Sequence, residues 1–291
     1  MRAQAQAKIN LRLKVLSRQD TGYHAIETVF LRLDLSDTVT VDVHDGSGIS
    51  VEVSGPPDLV FASGPAEQNL ALIAAAAYCE RTDWSPRVDI RVEKRIPVGA
   101  GLGGGSADAA AVLRALNSLA PGPLPPARLL ALAADIGSDV PFLTGNDVMA
   151  VGWGRGERLM SLPALAPRPV ILAVPPVAVS TRDAYDWLGR DPGDPPPPAV
   201  AGDAFSSWES TRGHAENDFS APVAARFPII ETIRESLLAR GARIAMLTGS
   251  GSAVFGVFDQ GAVIEAEAGA GEWRELATST AAHVVPLEPM D

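Results

Sequence analysis

The chain is 291 residues long, 46% hydrophobic and 20% charged, with 35 acidic residues against 24 basic ones and a formal charge of −11. This is the composition of a globular protein with length for two domains, and it lacks the basic surface on which broad nucleic-acid binding relies. The lone cysteine, Cys79, excludes a disulfide framework and points to a reducing cytoplasm.

Along residues 9–15, Ile9, Leu11, Leu13 and Val15 alternate with Asn10, Arg12 and Lys14, the period of a half-buried strand. The stretch from Met1 to Asp20 has no unbroken apolar core of the kind an export signal needs. The same period returns at 38–43, 49–53 and 88–92. The longest apolar run, 70–79, is half of the ~20 residues that a membrane-spanning helix requires, so it reads as a buried helix with Cys79 as a small core residue. Helices are predicted near 69–82, 106–119 and 126–136, the last two parted by the proline-rich 121–126. Past about residue 155 the pattern restarts: a strand at 170–174, helices at 181–188 and 229–240, a strand at 243–247, a glycine turn at 248–252 and a strand at 253–258. A helix in the 260s and a last strand near 283–286 complete it, and the proline-rich 191–198 reads as a surface loop. Mixed strands and helices make this an α+β chain of two domains, 1–157 and 158–291. His24, His44, His214 and His283 are too scattered to form a metal cluster.

The strongest local signal runs from Pro97 through Val98, Gly99, Ala100, Gly101, Leu102, Gly103, Gly104 and Gly105 to Ser106 and Ala107. Glycines let successive backbone N–H groups converge, and a helix starting near Ser106 adds its unpaired amides and positive dipole end, so the loop suits a phosphate. Gly99, Gly101 and Gly104 also satisfy G-x-G-x-x-G. A dinucleotide fold needs an acidic residue about twenty positions on, where this chain has Leu119-Ala120-Pro121. A Walker A loop needs a Gly-Lys-Ser/Thr that does not follow.

In these residues the loop resembles the signature of the galactokinase, homoserine kinase, mevalonate kinase and phosphomevalonate kinase (GHMP) superfamily. Ala7-Lys8-Ile9-Asn10-Leu11, Gly22-Tyr23-His24 with Glu27-Thr28-Val29-Phe30, Asp135-Ile136-Gly137-Ser138-Asp139-Val140-Pro141-Phe142, Glu216-Asn217-Asp218 and Thr248-Gly249-Ser250-Gly251-Ser252 resemble one branch of it. That branch phosphorylates the 2-hydroxyl of a cytidine-diphosphate-linked methylerythritol with ATP, in the non-mevalonate route to isoprenoids. The resemblance implies an N-terminal ATP domain of the ribosomal-protein-S5-domain-2-like type and a C-terminal ferredoxin-like α/β sandwich, with the active site between them. It further implies a cytoplasmic enzyme, monomeric or a weak homodimer, with small-molecule partners, no nucleic acid and no membrane.

Residue by residue, the resemblance makes Lys8 and Asp139 the catalytic pair. It makes Pro97 through Ala107 the ATP phosphate loop, with Asn69 and Lys94 lining the adenine site. Asn10, Tyr23, His24 and Tyr185 fall on acceptor positions, with Tyr23 and Tyr185 as walls around a cytosine and His24 at its edge. Since Lys8, Lys14 and Lys94 are the chain's only lysines, two of three meeting such positions is informative. Mg²⁺ is expected to arrive with ATP and to keep mostly phosphate and water ligands. One departure is Ala107, where the family commonly has a second serine. The rival readings are a homoserine- or mevalonate-type kinase and a non-catalytic nucleotide sensor on the same fold.

Overall fold

The alternating N-terminus folds as one long strand, β1 (Arg2–Arg18), antiparallel to β2 (His24–His44). The computed structural model describes residues 1–18, 24–189, 203–267 and 272–290. The chain continues through β3 (Gly48–Ser54), α1 (Pro57–Ala62), α2 (Leu70–Thr82), β4 (Arg87–Glu93), α3 (Gly104–Leu119), α4 (Pro126–Ile136) and α5 (Val140–Thr144). The hairpin β5 (Met149–Gly154) and β6 (Arg158–Leu162) follows, then β7 (Pro169–Val174), α6 (Thr181–Leu188), α7 (Trp208–His214), β8 (Glu216–Asn217), α8 (Ser220–Arg226) and α9 (Ile229–Ala239). Strands β9 (Ile244–Leu247), β10 (Val254–Val257) and β11 (Arg274–Ser279) close the fold.

Seven strands form the first sheet, in the order β3-β4-β2-β1-β8 with the β5–β6 hairpin branching from β2. The expected boundary at 157 falls inside that hairpin, since β6 pairs with β5 from Arg158 to Leu162. The second sheet has the antiparallel order β11-β7-β10-β9. In chain order this is fourth, first, third, second, the ferredoxin-like arrangement.

A slip in the β1–β2 register between Gln6 and Lys8 decides where the site forms. Ala3 and Ala5 pack with α2, α3 and α4, whereas Ala7, Ile9 and Leu11 pack with Val170, Leu172 and Phe255 of the second sheet. A bulge of one residue exchanges the two faces of a strand. Beyond it, Lys8 and Asn10 face the helical side, while their apolar neighbours join the core between the sheets. On the far face of the second sheet, Ile171 and Ala173 pack against Ile230, Ile233 and Leu237 of α9.

Two predicted elements are corrected. Residues 262–267 are not helical, and Val263 is 93% exposed, so nothing supplies the apolar contact a helix there would need. The Glu265 carbonyl and the Glu267 amide are held instead by Arg240 of α9 and Glu275 of β11. The last strand is Arg274–Ser279 and not the segment near 283–286, whose backbone bonds to the Gln6 side chain at His283 O (3.2 Å) and Val285 N (3.1 Å). The predicted 191–198 loop lies outside the described residues. No described helix is long and apolar enough to cross a membrane.

Candidate active site

Between β4 and α3 the glycine loop turns through left-handed backbone at Gly99, Gly101 and Gly103, with φ of 71°, 80° and 73°. Gly103 is the N-cap of α3, which begins two residues before the expected Ser106 and has no side-chain cap. Its first amides are therefore open to an anion. The loop is held from both domains: Lys8 N donates to Leu102 O (3.0 Å) and Ala253 N to Ala100 O (3.1 Å). Of the loop side chains, Val98 is exposed and Pro97 buried.

At Gly101 this docking leaves no space for a side chain. A Cβ there would lie 2.2 Å from the Thr248 carbonyl oxygen, whereas at Gly99 it would meet nothing within 4 Å. Gly99→Ala is expected to cost only the ~1–2 kcal/mol of left-handed backbone. Gly101→Ala must also push the 248–252 turn off the loop. Thermal melts and ATP titrations of the two variants should show a small stability loss with near-native ATP affinity for Gly99→Ala, and a much larger loss of both for Gly101→Ala. Equal behaviour would contradict the docking.

Beside the loop, Lys8 and Asp139 meet despite their separation along the chain. Lys8 Nζ lies 3.2 Å from Asp139 Oδ2 and donates to Asn10 Oδ1 at 2.8 Å. Asp139 occupies the N-cap position of α5, yet its side chain makes no capping bond. Asn10 is fixed in turn: its Nδ2 donates to Thr28 Oγ1 (2.8 Å), and the Thr28 hydroxyl donates to Arg12 O (2.8 Å). The Asn10 amide donates to Thr248 Oγ1 (3.2 Å), whose own hydroxyl has Asn10 Oδ1 and Gly101 O at 3.3 Å as acceptors. Asn217 anchors that turn from below, Nδ2 donating to Leu247 O (2.9 Å) and Gly249 O (2.8 Å). Thus the Glu216-Asn217-Asp218 and 248–252 motifs, from the second half of the chain, support a pair on β1 and α5.

These groups open onto a cleft of about 810 Å³ that also includes Ser106, His24 and Tyr185, a size in the range of small-molecule sites. Tyr23 lies outside the described residues. His24 does not stand edge-on beside an open Tyr185 face. The two rings stack at 4.6 Å with 13° between their planes, too close to admit a base. Tyr185 also meets Phe219 edge-on at 4.9 Å. Burial, reinforced by the Asp139 charge, pushes the Tyr185 pKa to about 12, so its hydroxyl stays protonated. Arg155 and Arg182 line the cleft as well; arginine is the chain's common cation, and nothing in the sequence set these two apart.

Of the expected ATP-site residues, Gly101, Gly103 and Ser106 line the cleft, whereas Asn69, Ala107 and Lys94 have other places. Asn69 caps α2, its Oδ1 accepting from Ala71 N at 2.9 Å. Leu70, the first residue of α2, would lie 3.6 Å from a Cβ on Gly105, so this cap stands at the rim of the loop. Ala107 is 2% exposed and packs in the core under α3, so the hydroxyl missing at this position would have faced inward, whereas Ser106 faces the cleft.

Lys94 requires the larger correction. It is 3% exposed, and its Nζ donates to Asp37 Oδ2 (2.5 Å) and Asp108 Oδ2 (2.8 Å). Asp37 Oδ1 accepts from the Ile96 amide at 2.8 Å, and Asp108 lies in the second turn of α3, so the cluster ties together the two ends of the glycine loop. Burial works against the Lys94 charge, but two carboxylates outweigh it and raise its pKa. Asp108 is the weaker partner: burial pushes its pKa to about 7 despite Lys94, and its Oδ1 has no hydrogen bond. A lysine in a sequence motif does not reveal whether its ammonium faces a ligand or a buried carboxylate.

Open helix amides beside a lysine–carboxylate pair suit phosphoryl transfer to a small alcohol, and the two lobes that enclose them are those of the GHMP kinases. The sequence matches the GHMP kinases N terminal domain over residues 69–155 and the GHMP kinases C terminal over 203–273. Curated relatives narrow the class. The 4-diphosphocytidyl-2-C-methyl-D-erythritol kinase of Geobacter sp. (strain M21) is 38% identical over 257 residues, 88% of each chain. That of Anaeromyxobacter dehalogenans (strain 2CP-C) is 43% identical over 258 residues, 87% of this chain and 79% of its own. A crystal structure of a 4-(cytidine 5'-diphospho)-2C-methyl-D-erythritol kinase, 36% identical, matches with a TM-score of 0.78 over 96% of this chain and 98% of its own. Homoserine kinase from Cytophaga hutchinsonii, at 18% identity and a TM-score of 0.66, shares the fold. The chain belongs to the 4-diphosphocytidyl-2-C-methyl-D-erythritol kinase family, and as such a kinase it takes ATP as co-substrate.

Proposed function

We propose that this chain transfers the γ-phosphoryl group of ATP to the 2-hydroxyl of 4-diphosphocytidyl-2-C-methyl-D-erythritol, with Asp139 accepting the hydroxyl proton and Lys8 orienting the acceptor oxygen. The observation that carries the assignment is the Asp139 carboxylate, placed at a helix N-cap, making no cap bond and held 3.2 Å from Lys8 Nζ at the mouth of the glycine loop. A carboxylate is a far weaker base than an alkoxide, so it takes the proton as the new P–O bond forms. Lys8 steadies the negative charge that develops on the acceptor and transferring oxygens. The open amides of the loop and of α3 hold the phosphates.

Mg²⁺ enters as the partner of ATP. Among the described residues no cluster of His, Cys, Asp and Glu could hold a metal by itself, while the Ser106 hydroxyl and the Asp139 carboxylate are hard oxygen donors in the cleft. Such a donor set fits an ion that keeps most of its water and phosphate ligands.

The stacked His24–Tyr185 pair acts as one aromatic wall for the cytosine. Stacking on a base is worth ~1–3 kcal/mol, so Tyr185→Leu is expected to raise the KM for the cytidine acceptor ~5- to 150-fold with the KM for ATP unchanged. Equal changes in both constants would make Tyr185 a packing residue only. Initial rates with the cytidine acceptor, its uridine analogue, homoserine and mevalonate test the whole reading. The cytidine compound should give the highest kcat/KM. A preference for homoserine or mevalonate would reassign the chain within the superfamily.

A further inference from the structure

The strand rung that carries Lys8 carries a second cation on its partner strand. Arg32 of β2 lies opposite Lys8 of β1, and facing residues of an antiparallel pair project to the same side of the sheet. Lys8 reaches Asp139, which precedes α5, while Arg32 reaches the residues that end it. The Arg32 Nη2 donates to the carbonyls of Phe142 (2.6 Å) and Gly145 (2.9 Å), and its Nε donates to the carbonyl of Asp147 (2.8 Å). Its guanidinium lies 4.9 Å from the centroid of the Phe142 ring, and that ring stacks on Phe30 at 4.9 Å.

Arg32 is 1% exposed, and its side-chain hydrogen bonds all go to backbone carbonyls. A buried cation held without a hydrogen-bonded carboxylate is costly. Burial, with Arg114 near by, brings its pKa down to about 9. What the arrangement secures is the C-terminal end of α5, a helix of five residues. So short a helix does not stand without tertiary contacts, and its last carbonyls have no helical partners.

We propose that Arg32 is a positioning residue for Asp139: by fixing the C-terminal end of α5, it holds the carboxylate at the other end in reach of Lys8 and the acceptor hydroxyl. Arg32 itself touches neither substrate and does not line the cleft. The proposal rests on the reading of Asp139 as proton acceptor.

A double-mutant cycle separates positioning from general support. Arg32→Lys keeps the charge and the stem, but an ammonium lacks the planar fork that spans three carbonyls. It is expected to lower kcat ~10- to 100-fold, the scale of a misplaced reacting group, with the KM for ATP unchanged. In an Asp139→Asn background the same substitution should change kcat by less than about two-fold, because the group it positions is already gone. Arg32→Met is the more severe member; should it not fold, the lysine variant carries the test alone. Equal fold losses in both backgrounds, native kcat in folded Arg32→Lys, or a loss confined to the KM for ATP would each overturn the proposal. Native turnover of Asp139→Asn by itself would be a separate result. It would remove the proton acceptor, and with it anything for Arg32 to position.

Discussion

Asp139→Asn is expected to lower turnover by ~10²- to 10⁴-fold, the usual worth of a positioned acid–base group, while ATP binding stays near native. The substitution keeps shape and removes charge and basicity. Because the carboxylate makes no cap bond to α5, the helix loses no cap with it. The buried Lys8 ammonium loses a counter-charge but keeps its hydrogen bond to Asn10 Oδ1, so some loss of stability with a folded chain is expected. The phosphate cradle consists of backbone amides and is untouched. Lys8→Met should behave alike: the stem that lies 3.1 Å from the position of a Cβ on Gly103 is preserved, and only the ammonium is lost. Steady-state kinetics together with an ATP titration by calorimetry check both variants. Turnover near native in either would remove that residue from the mechanism, and a parallel loss of ATP affinity would show that the pair serves nucleotide binding.

Lys94→Met is expected to act on stability. Taking away the ammonium leaves Asp37 and Asp108 buried against each other without a counter-charge, and breaking a buried ion pair on one side costs about 3–5 kcal/mol. The pH dependence carries a sign. The Asp108 pKa is raised to about 7 in the folded chain, above the ordinary value of 3.8, with burial as the main cause. The folded state therefore holds more protons than the unfolded one between those values, and stability falls as pH rises from about 4 to 7. Without Lys94 this decline should steepen and extend to higher pH. Urea midpoints at pH 5 and pH 8 measure it, with the variant's deficit larger at pH 8. An unchanged midpoint with ATP affinity alone reduced would return Lys94 to the nucleotide site.

Period-two alternation made β1, β3 and β4 legible, because apolar and polar side chains alternate along each, although β1 is buried on both faces from Ala5 to Leu13. It could not show the bulge after Gln6, since Ala3, Ala5, Ala7 and Ile9 keep the same alternation across it. Only pairing with β2 reveals that the buried face changes there and that Lys8 and Asn10 turn toward the helices. Strand β5 was missed because Gly152 and Gly154 interrupt it; a Cβ on Gly152 would lie 2.8 Å from the Phe30 ring, so a packed neighbour excludes the side chain that would have marked a strand. In the 260s, alanine and glutamate favour helix locally but provide no apolar stripe to dock.

The candidate site was readable as a set of residue types and not as contacts. Taken alone, Asp139 after Gly137-Ser138 suits a helix cap or turn better than catalysis, and its freedom from a cap bond is a property of the folded chain. Lys94 and Lys8 carried equal weight as scarce lysines in motifs. Both are buried, and their partners separate them: Lys94 is held by Asp37 and Asp108 beneath the loop, whereas Lys8 meets Asp139 on the cleft wall. Arg32 gave no signal, because a buried guanidinium serving carbonyl groups has no partner that a sequence displays. The acidic balance of the chain is compatible with gripping phosphates, since the donors are backbone amides at a helix N-terminus and not a basic surface.

The most direct measurement is phosphorus NMR of the purified chain incubated with Mg-ATP and 4-diphosphocytidyl-2-C-methyl-D-erythritol. A new phosphomonoester resonance on the 2-hydroxyl, appearing in step with ADP and lost in Asp139→Asn, is the predicted result. ATP binding with no acceptor-dependent ADP and no new phosphomonoester would contradict it and leave a nucleotide sensor on a kinase fold.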